Sequence, residues 1–235
     1  MSPLEKLHEF RFDEYMKRCK NFMIIGNPHN NQRENIAKQI IDAKGIHSGM
    51  TIKTEEDIDN LIDNQLKKVQ EYHKRQRECV EKMTNETFHI EAYCLYTDKQ
   101  ALEHDHETVD GVVNQGNNEE SSMTNTCDYL NIVRGSSTRL LLHNSLFLRI
   151  VTIFLLQDVN NKLPIDFSVC MDCIIICCND VTDSRALYDT YGLMFEEFEQ
   201  FDKCLKEFTK EGKCMVLYLN CTKPMISDSV FWYNM

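Results

Sequence analysis

The chain has 235 residues, with 26 lysines and arginines against 37 aspartates and glutamates and a formal net charge of -11. That length suits one sizeable domain or two small ones, and the elements below are taken as a single domain over 1–235. The acidic balance excludes a broad nucleic-acid surface, because neutralising phosphates takes clustered Lys and Arg, though a local patch remains allowed.

Residues 1–15 are charged throughout and do not read as a secretory signal. Next comes an apolar strand over 21–25, then Gly26, a short polar loop, and a helix over 33–43 that ends near Gly45. Strand, glycine, polar loop and helix are the layout of a phosphate-binding loop, whose pattern is G-x-x-x-x-G-K-[ST]. Gly26 holds the first glycine position, Asn31 the second, Gln32 the lysine position and Arg33 the hydroxyl position. Such a loop works because backbone N–H groups and a helix N-terminus face the phosphates. Asn31 tolerates a positive φ better than most residues, so the turn is compatible with it. Pro28 has no N–H to donate. Gln32 offers an amide dipole where a full charge is needed. Arg33 cannot ligate a cation and would repel it, although it could contact a phosphate directly.

Thr54-Glu55-Glu56-Asp57 has the form of a capping box opening a long helix. Apolar residues from Ile58 through Cys79, Val80 and Met83 recur at three- and four-residue steps, which predicts one buried face along its length. The densest basic stretch, Lys67-Lys68 with Lys74, Arg75 and Arg77, falls in this helix and reads as a solvated face. Residues 87–96 alternate as a strand does. Residues 97–137 hold few large apolar side chains and read as a surface insertion with little fixed structure.

The longest apolar run, 140–156, is interrupted by His143, Asn144 and Arg149. A membrane span needs about 20 predominantly apolar residues, so this run reads as buried core. Residues 149–156 and 169–178 are continuous apolar runs, as expected of strands covered on both faces. A helix over 187–208 and a strand over 214–219 follow, with Asp183 or Ser184 as candidate N-cap of the helix. Strands alternating with helices predict an α/β domain with a mainly parallel sheet.

Eleven cysteines without a secretory signal predict free thiols in a reducing compartment. Cys170, Cys173, Cys177 and Cys178 lie in or beside a predicted strand, where neighbouring side chains point to opposite faces, so no metal site is expected there. His104 and His106 flank Asp105 without a second ligand cluster.

Several segments share an order. Phe10-Arg11-Phe12-Asp13 precedes the strand–loop–helix, and a Lys/Glu-rich helix precedes Cys94-Leu95-Tyr96. Residues 150–157 are followed by Leu163-Pro164, then by Asp183-Ser184-Arg185-Ala186-Leu187-Tyr188-Asp189 with Tyr191, and last by Val230-Phe231-Trp232-Tyr233. Together they resemble the poxvirus-type genome-packaging ATPase of large nucleocytoplasmic DNA viruses, in the FtsK/HerA branch of P-loop NTPases. The resemblance spans the chain except 97–137. It implies a P-loop NTPase (RecA-like) three-layer α/β sandwich with a mainly parallel central sheet. It also implies ATP and Mg²⁺ as cofactors, and a role in feeding DNA into a capsid.

Carried over position by position, the resemblance makes Gly26, Asn31, Gln32 and Arg33 the nucleotide-binding set in degenerate form. An acidic pair is implied just before Cys-Leu-Tyr, where this chain has Ala92 and Tyr93, with Glu91 one residue earlier. A Gly-Arg finger pair is implied where this chain has Ser145 and Leu146, with Arg149 nearby but out of register. The polar sensor at the end of the fourth strand is kept as Gln157. Glu91 and Gln157 are thus the candidate catalytic residues.

Three functions are compatible with these residues. The first is a degenerate homologue of the packaging ATPase, a structural or regulatory subunit with little or no ATP hydrolysis. Its expected partners are a homo- or hetero-oligomeric ring with an active packaging ATPase, viral DNA or capsid proteins. Its expected place is the host cytoplasm (viral factory) or the virion, with no membrane span and no secretion. The second is an active packaging motor with relocated residues, Arg33 serving as phosphate cation and Glu91 at the metal. The third is an unrelated α/β interaction module in which Asn31, Gln32 and Arg33 merely start a helix.

Overall fold

A computed structural model describes residues 7–11, 15, 18–27, 31–82, 90–97, 131–157, 167, 169–177, 184–220 and 225–234. Seven strands form one sheet in the order β2-β3-β4-β1-β5-β6-β7. They are β1 (Asn21–Ile25), β2 (Gly49–Thr51), β3 (Ala92–Thr97), β4 (Ile150–Leu156), β5 (Cys173–Ile176), β6 (Lys213–Tyr218) and β7 (Val230–Asn234). The helices are α1 (Gln32–Ala43), α2 (Glu55–Lys82), α3 (Ser136–Leu148), α4 (Ser184–Tyr191), α5 (Phe198–Phe208) and the single turn α6 (Ile226–Ser229).

The five strands from β2 to β5 pair in parallel. β6 and β7 extend the sheet antiparallel. The C-terminal Phe231-Trp232 segment is therefore part of an edge strand. Alternate residues of each central strand enter two separate cores. Met23 and Ile25 of β1, with Phe154 of β4, pack under Ile58 and Leu61 of α2, Leu141 of α3, Leu187 of α4 and Phe201 of α5. Phe22 and Ile24, with Ile153, pack under Ile36, Ala37 and Ile40 of α1. Every residue of β1, β4 and β5 is buried because helices cover both faces. The result is the three-layer α/β sandwich with a mainly parallel central sheet that was expected.

The capping box is present. Asp57 Oδ2 accepts from the Thr54 N–H at 2.8 Å, and Thr54 Oγ1 accepts from the Asp57 N–H at 3.2 Å. The apolar face of α2 is shorter than the periodicity predicts, since its last buried residue is Val69 and Val80 is 74% exposed. The helix expected over 187–208 is two helices. Gly192 separates them and donates its N–H to Tyr188 O at 2.8 Å. Phe195 falls in the turn and is still buried, so helical spacing alone did not reveal the break. The apolar run at 140–156 is also divided. α3 exposes Leu140, Leu146 and Phe147, and burial is continuous only in β4. Of the expected strand over 169–178, only Cys173–Ile176 is strand among the described residues, and Val169 is 83% exposed. The expected insertion over 97–137 lies mostly outside the described residues. Its last part does not fit the expectation, because 131–134 are helical and Ser136 opens α3.

Candidate nucleotide site

β1 sits centrally, and the chain leaves its carboxyl end through Gly26. Ligands of open α/β sheets bind outside the carboxyl ends of the strands. Both neighbouring strands anchor that exit. The Gly26 N–H donates to Leu156 O of β4 at 3.0 Å, and the Cys177 N–H donates to Ile25 O at 2.8 Å. A side chain at position 26 would lie 3.1 Å from Cys177 Cβ and 3.3 Å from Arg33 Cγ. Glycine therefore suits this close approach, and a methyl would ask its neighbours to shift by a few tenths of an ångström.

Asn31 re-enters the helix with φ 54 and ψ 11. This is the left-handed conformation that a glycine normally supplies, and an asparagine is among the few residues that adopt it readily. Its carbonyl accepts the Asn35 N–H at 3.0 Å, which closes the first turn of α1. Asn31 is exposed and Gln32 half-buried at the mouth.

Arg33 is fully buried, at 0% exposure. Its aliphatic stem crosses Gly26, and its Nη2 lies 3.8 Å from Glu34 Oε1. The helix N-terminus therefore carries a cation and an anion side by side, and the two largely cancel. An anionic triphosphate gains little net attraction from such a pair. Mg²⁺ fits worse still, because the position that should offer it a hydroxyl oxygen holds a guanidinium. The donor set present does not suit Mg²⁺-ATP.

Gln157 follows the last residue of β4, beside the Gly26 exit. Gly26, Asn31, Gln32, Arg33 and Gln157 thus share the carboxyl-terminal edge of the sheet. Glu91 does not. It precedes the first residue of β3, and its carboxylate pairs with Lys20 Nζ at 2.6 Å where β1 begins. Six residues of strand, roughly 20 Å at ~3.3 Å per residue, separate it from the loop edge. Ala92 and Tyr93 open β3 and are equally remote. The residue of β3 at the loop edge is Thr97, in register with Leu155 of β4. Asp98 comes next in the sequence and lies outside the described residues.

Ser145 is buried and donates to Leu142 O at 3.1 Å, while Leu146 is 73% exposed. Arg149 ends α3 at φ 53 and stacks its guanidinium 4.8 Å over the Tyr72 ring, also at the amino-terminal edge of the sheet. Among the described residues no group of three or more His, Cys, Asp or Glu side chains could hold a metal ion, and no helix is long and apolar enough to cross a membrane. Cys178, His104 and His106 lie outside the described residues.

No protein-family model matches the chain, and no curated protein is significantly similar to it in sequence. Two solved structures are similar in fold. One is the pCW3 conjugation coupling protein TcpA in its monomer form with ATPγS, at 11% identity and a TM-score of 0.48. That match covers 96% of this chain, which spans 61% of TcpA. The other is the genome packaging NTPase B204 from Sulfolobus turreted icosahedral virus 2 with ATPγS, at 10% identity and a TM-score of 0.47, covering 91% of this chain and 96% of B204.

Proposed function

We propose that this chain is a degenerate homologue of the viral DNA-packaging ATPase that acts as a structural or regulatory subunit with little or no ATP hydrolysis. In this reading it forms one P-loop-like domain and works in a ring with an active packaging ATPase. The observation that carries the reading is Arg33. A fully buried guanidinium stands where the loop chemistry needs a hydroxyl, its stem lies across Gly26, and Glu34 offsets its charge. Gln32 in place of the lysine removes the second electrostatic part. Losing such parts costs orders of magnitude in rate.

Calorimetry of the full chain with ATP, with and without Mg²⁺, tests the reading alongside turnover with and without duplex DNA. We expect no Mg²⁺-dependent heat and no turnover above buffer. DNA-stimulated hydrolysis that Gln157→Ala abolishes would overturn it. That result would favour the active motor, with Arg33 as the phosphate cation.

A further inference from the structure

The opposite edge of the sheet holds a cleft of about 410 Å³, inside the size range of small-molecule sites. Four separate parts of the chain build it. Lys44 and His47 come from the end of α1 and the approach to β2, Lys68 from α2, Glu91 from the approach to β3, and Arg149 from the approach to β4. Three full cations and a histidine thus line a cleft in a chain whose net charge is -11. Glu91 is the one acid among the described lining residues, and Lys20 already holds it at 2.6 Å. Burial, and then repulsion from Lys20, pull the Lys44 ammonium down to about 8 from its ordinary 10.5. Glu91 and Asp172 act in the opposite sense, and among the described lining residues Lys44, Lys68 and Arg149 face the single acid Glu91.

Two of the three cations are also held in place. Lys44 Nζ donates to Cys19 O at 2.7 Å, and Arg149 lies over the face of Tyr72. A guanidinium fixed against an aromatic ring keeps its planar fork ready for two parallel bonds to one phosphate. We infer that this cleft binds a small ligand bearing one or more phosphate groups, at the edge of the sheet away from the candidate nucleotide loop. Its size favours a compact phosphate over the backbone of a long polymer. The inference stands apart from the fate of the loop, since it shares no residue with it.

Inorganic tripolyphosphate, titrated into the full chain without Mg²⁺ in a calorimeter, tests it. We expect one saturable site. Lys68→Gln lies on an exposed helix face and should not disturb folding, and we expect it to weaken binding about tenfold, the scale of one lost charge-assisted contact. Lys44→Gln should weaken it at least as much, with a melting curve to show that the variant is folded. Lys74→Gln, on the same helix beyond the cleft, should bind as the parent does. Equal affinity in the parent and Lys68→Gln would overturn the inference. So would an absence of saturable heat at millimolar tripolyphosphate, or tighter binding of a short DNA duplex that Lys74→Gln and Lys68→Gln weaken alike.

Discussion

At the scale of single residues, Asn31 and Gly26 hold conformations and contacts that few residue types accept, and Gln32 and Arg33 place an amide and a buried guanidinium beside them. A left-handed conformation costs an ordinary L-residue about 1–2 kcal/mol, while glycine and asparagine bear it well. Asn31→Ala should therefore lower the unfolding free energy by about 1 kcal/mol, and Asn31→Gly should leave it within about 0.5 kcal/mol, both read from urea melts. Gly26→Ala pushes a methyl against Cys177 Cβ and the Arg33 stem. It should cost about 1–3 kcal/mol in the same measurement, as overpacking does. The tolerance of Asn31 for this turn was legible in the sequence, because it depends on one residue type at one position. The burial of Arg33 was not, because it depends on how the folded strand and helix bring its stem across Gly26.

Elements show where periodicity informs and where it misleads. Both ends of α2 have the same helical pattern, but the sheet under it ends before the helix does. Its buried residues stop at Val69, so the last three turns are held by helix hydrogen bonds and pairs such as Glu71–Arg75 at 2.5 Å. Exposed pairs of this kind contribute about 0.3–0.5 kcal/mol each. Amide hydrogen exchange should therefore be markedly faster over 73–82 than over 58–69, because little buried apolar surface resists opening there. Equal protection along the helix would mean that something covers its distal half. α5 is the opposite case, with Phe201, Cys204, Leu205 and Phe208 all turned into the core. Phe201→Ala should cost about 3–5 kcal/mol, measured by chemical denaturation, since the ring is fully buried between α4 and the sheet.

Across the whole molecule, buried thiols set the response to alkali. Burial raises Cys19 and Cys204 from the ordinary 9.0 to about 12. Cys94 and Cys173 are raised for the same reason, and so is the Tyr191 hydroxyl. Each such group holds its proton more tightly folded than unfolded. Its contribution to stability is therefore complete below pH 9 and is lost as pH rises from there through about 12. Lys44 acts with the opposite sign, since its lowered value makes stability rise as pH passes from about 8 to 10.5. Four thiols and a tyrosine outweigh one lysine, so the urea midpoint should fall between pH 9 and pH 11. A midpoint that stays level or rises over that range would mean that these thiols are not buried as described.

What the sequence alone determined is the local grammar. The strand–loop–helix at 22–41, the capping box at Thr54 and the doubly covered central strands all come from residues within a few positions of one another. Their causes are side-chain periodicity, backbone tolerance and end caps, which need no knowledge of the rest of the chain. Tertiary structure alone decided which end of a strand faces the loop. Parallel pairing sets Thr97 beside Leu155 and leaves Glu91 with Lys20, although Glu91 and Thr97 are six positions apart in the sequence. It also gathered Lys44, Lys68 and Arg149 into one cleft. Registers and clefts are fixed by contacts between residues tens to over a hundred positions apart, and no local pattern records them.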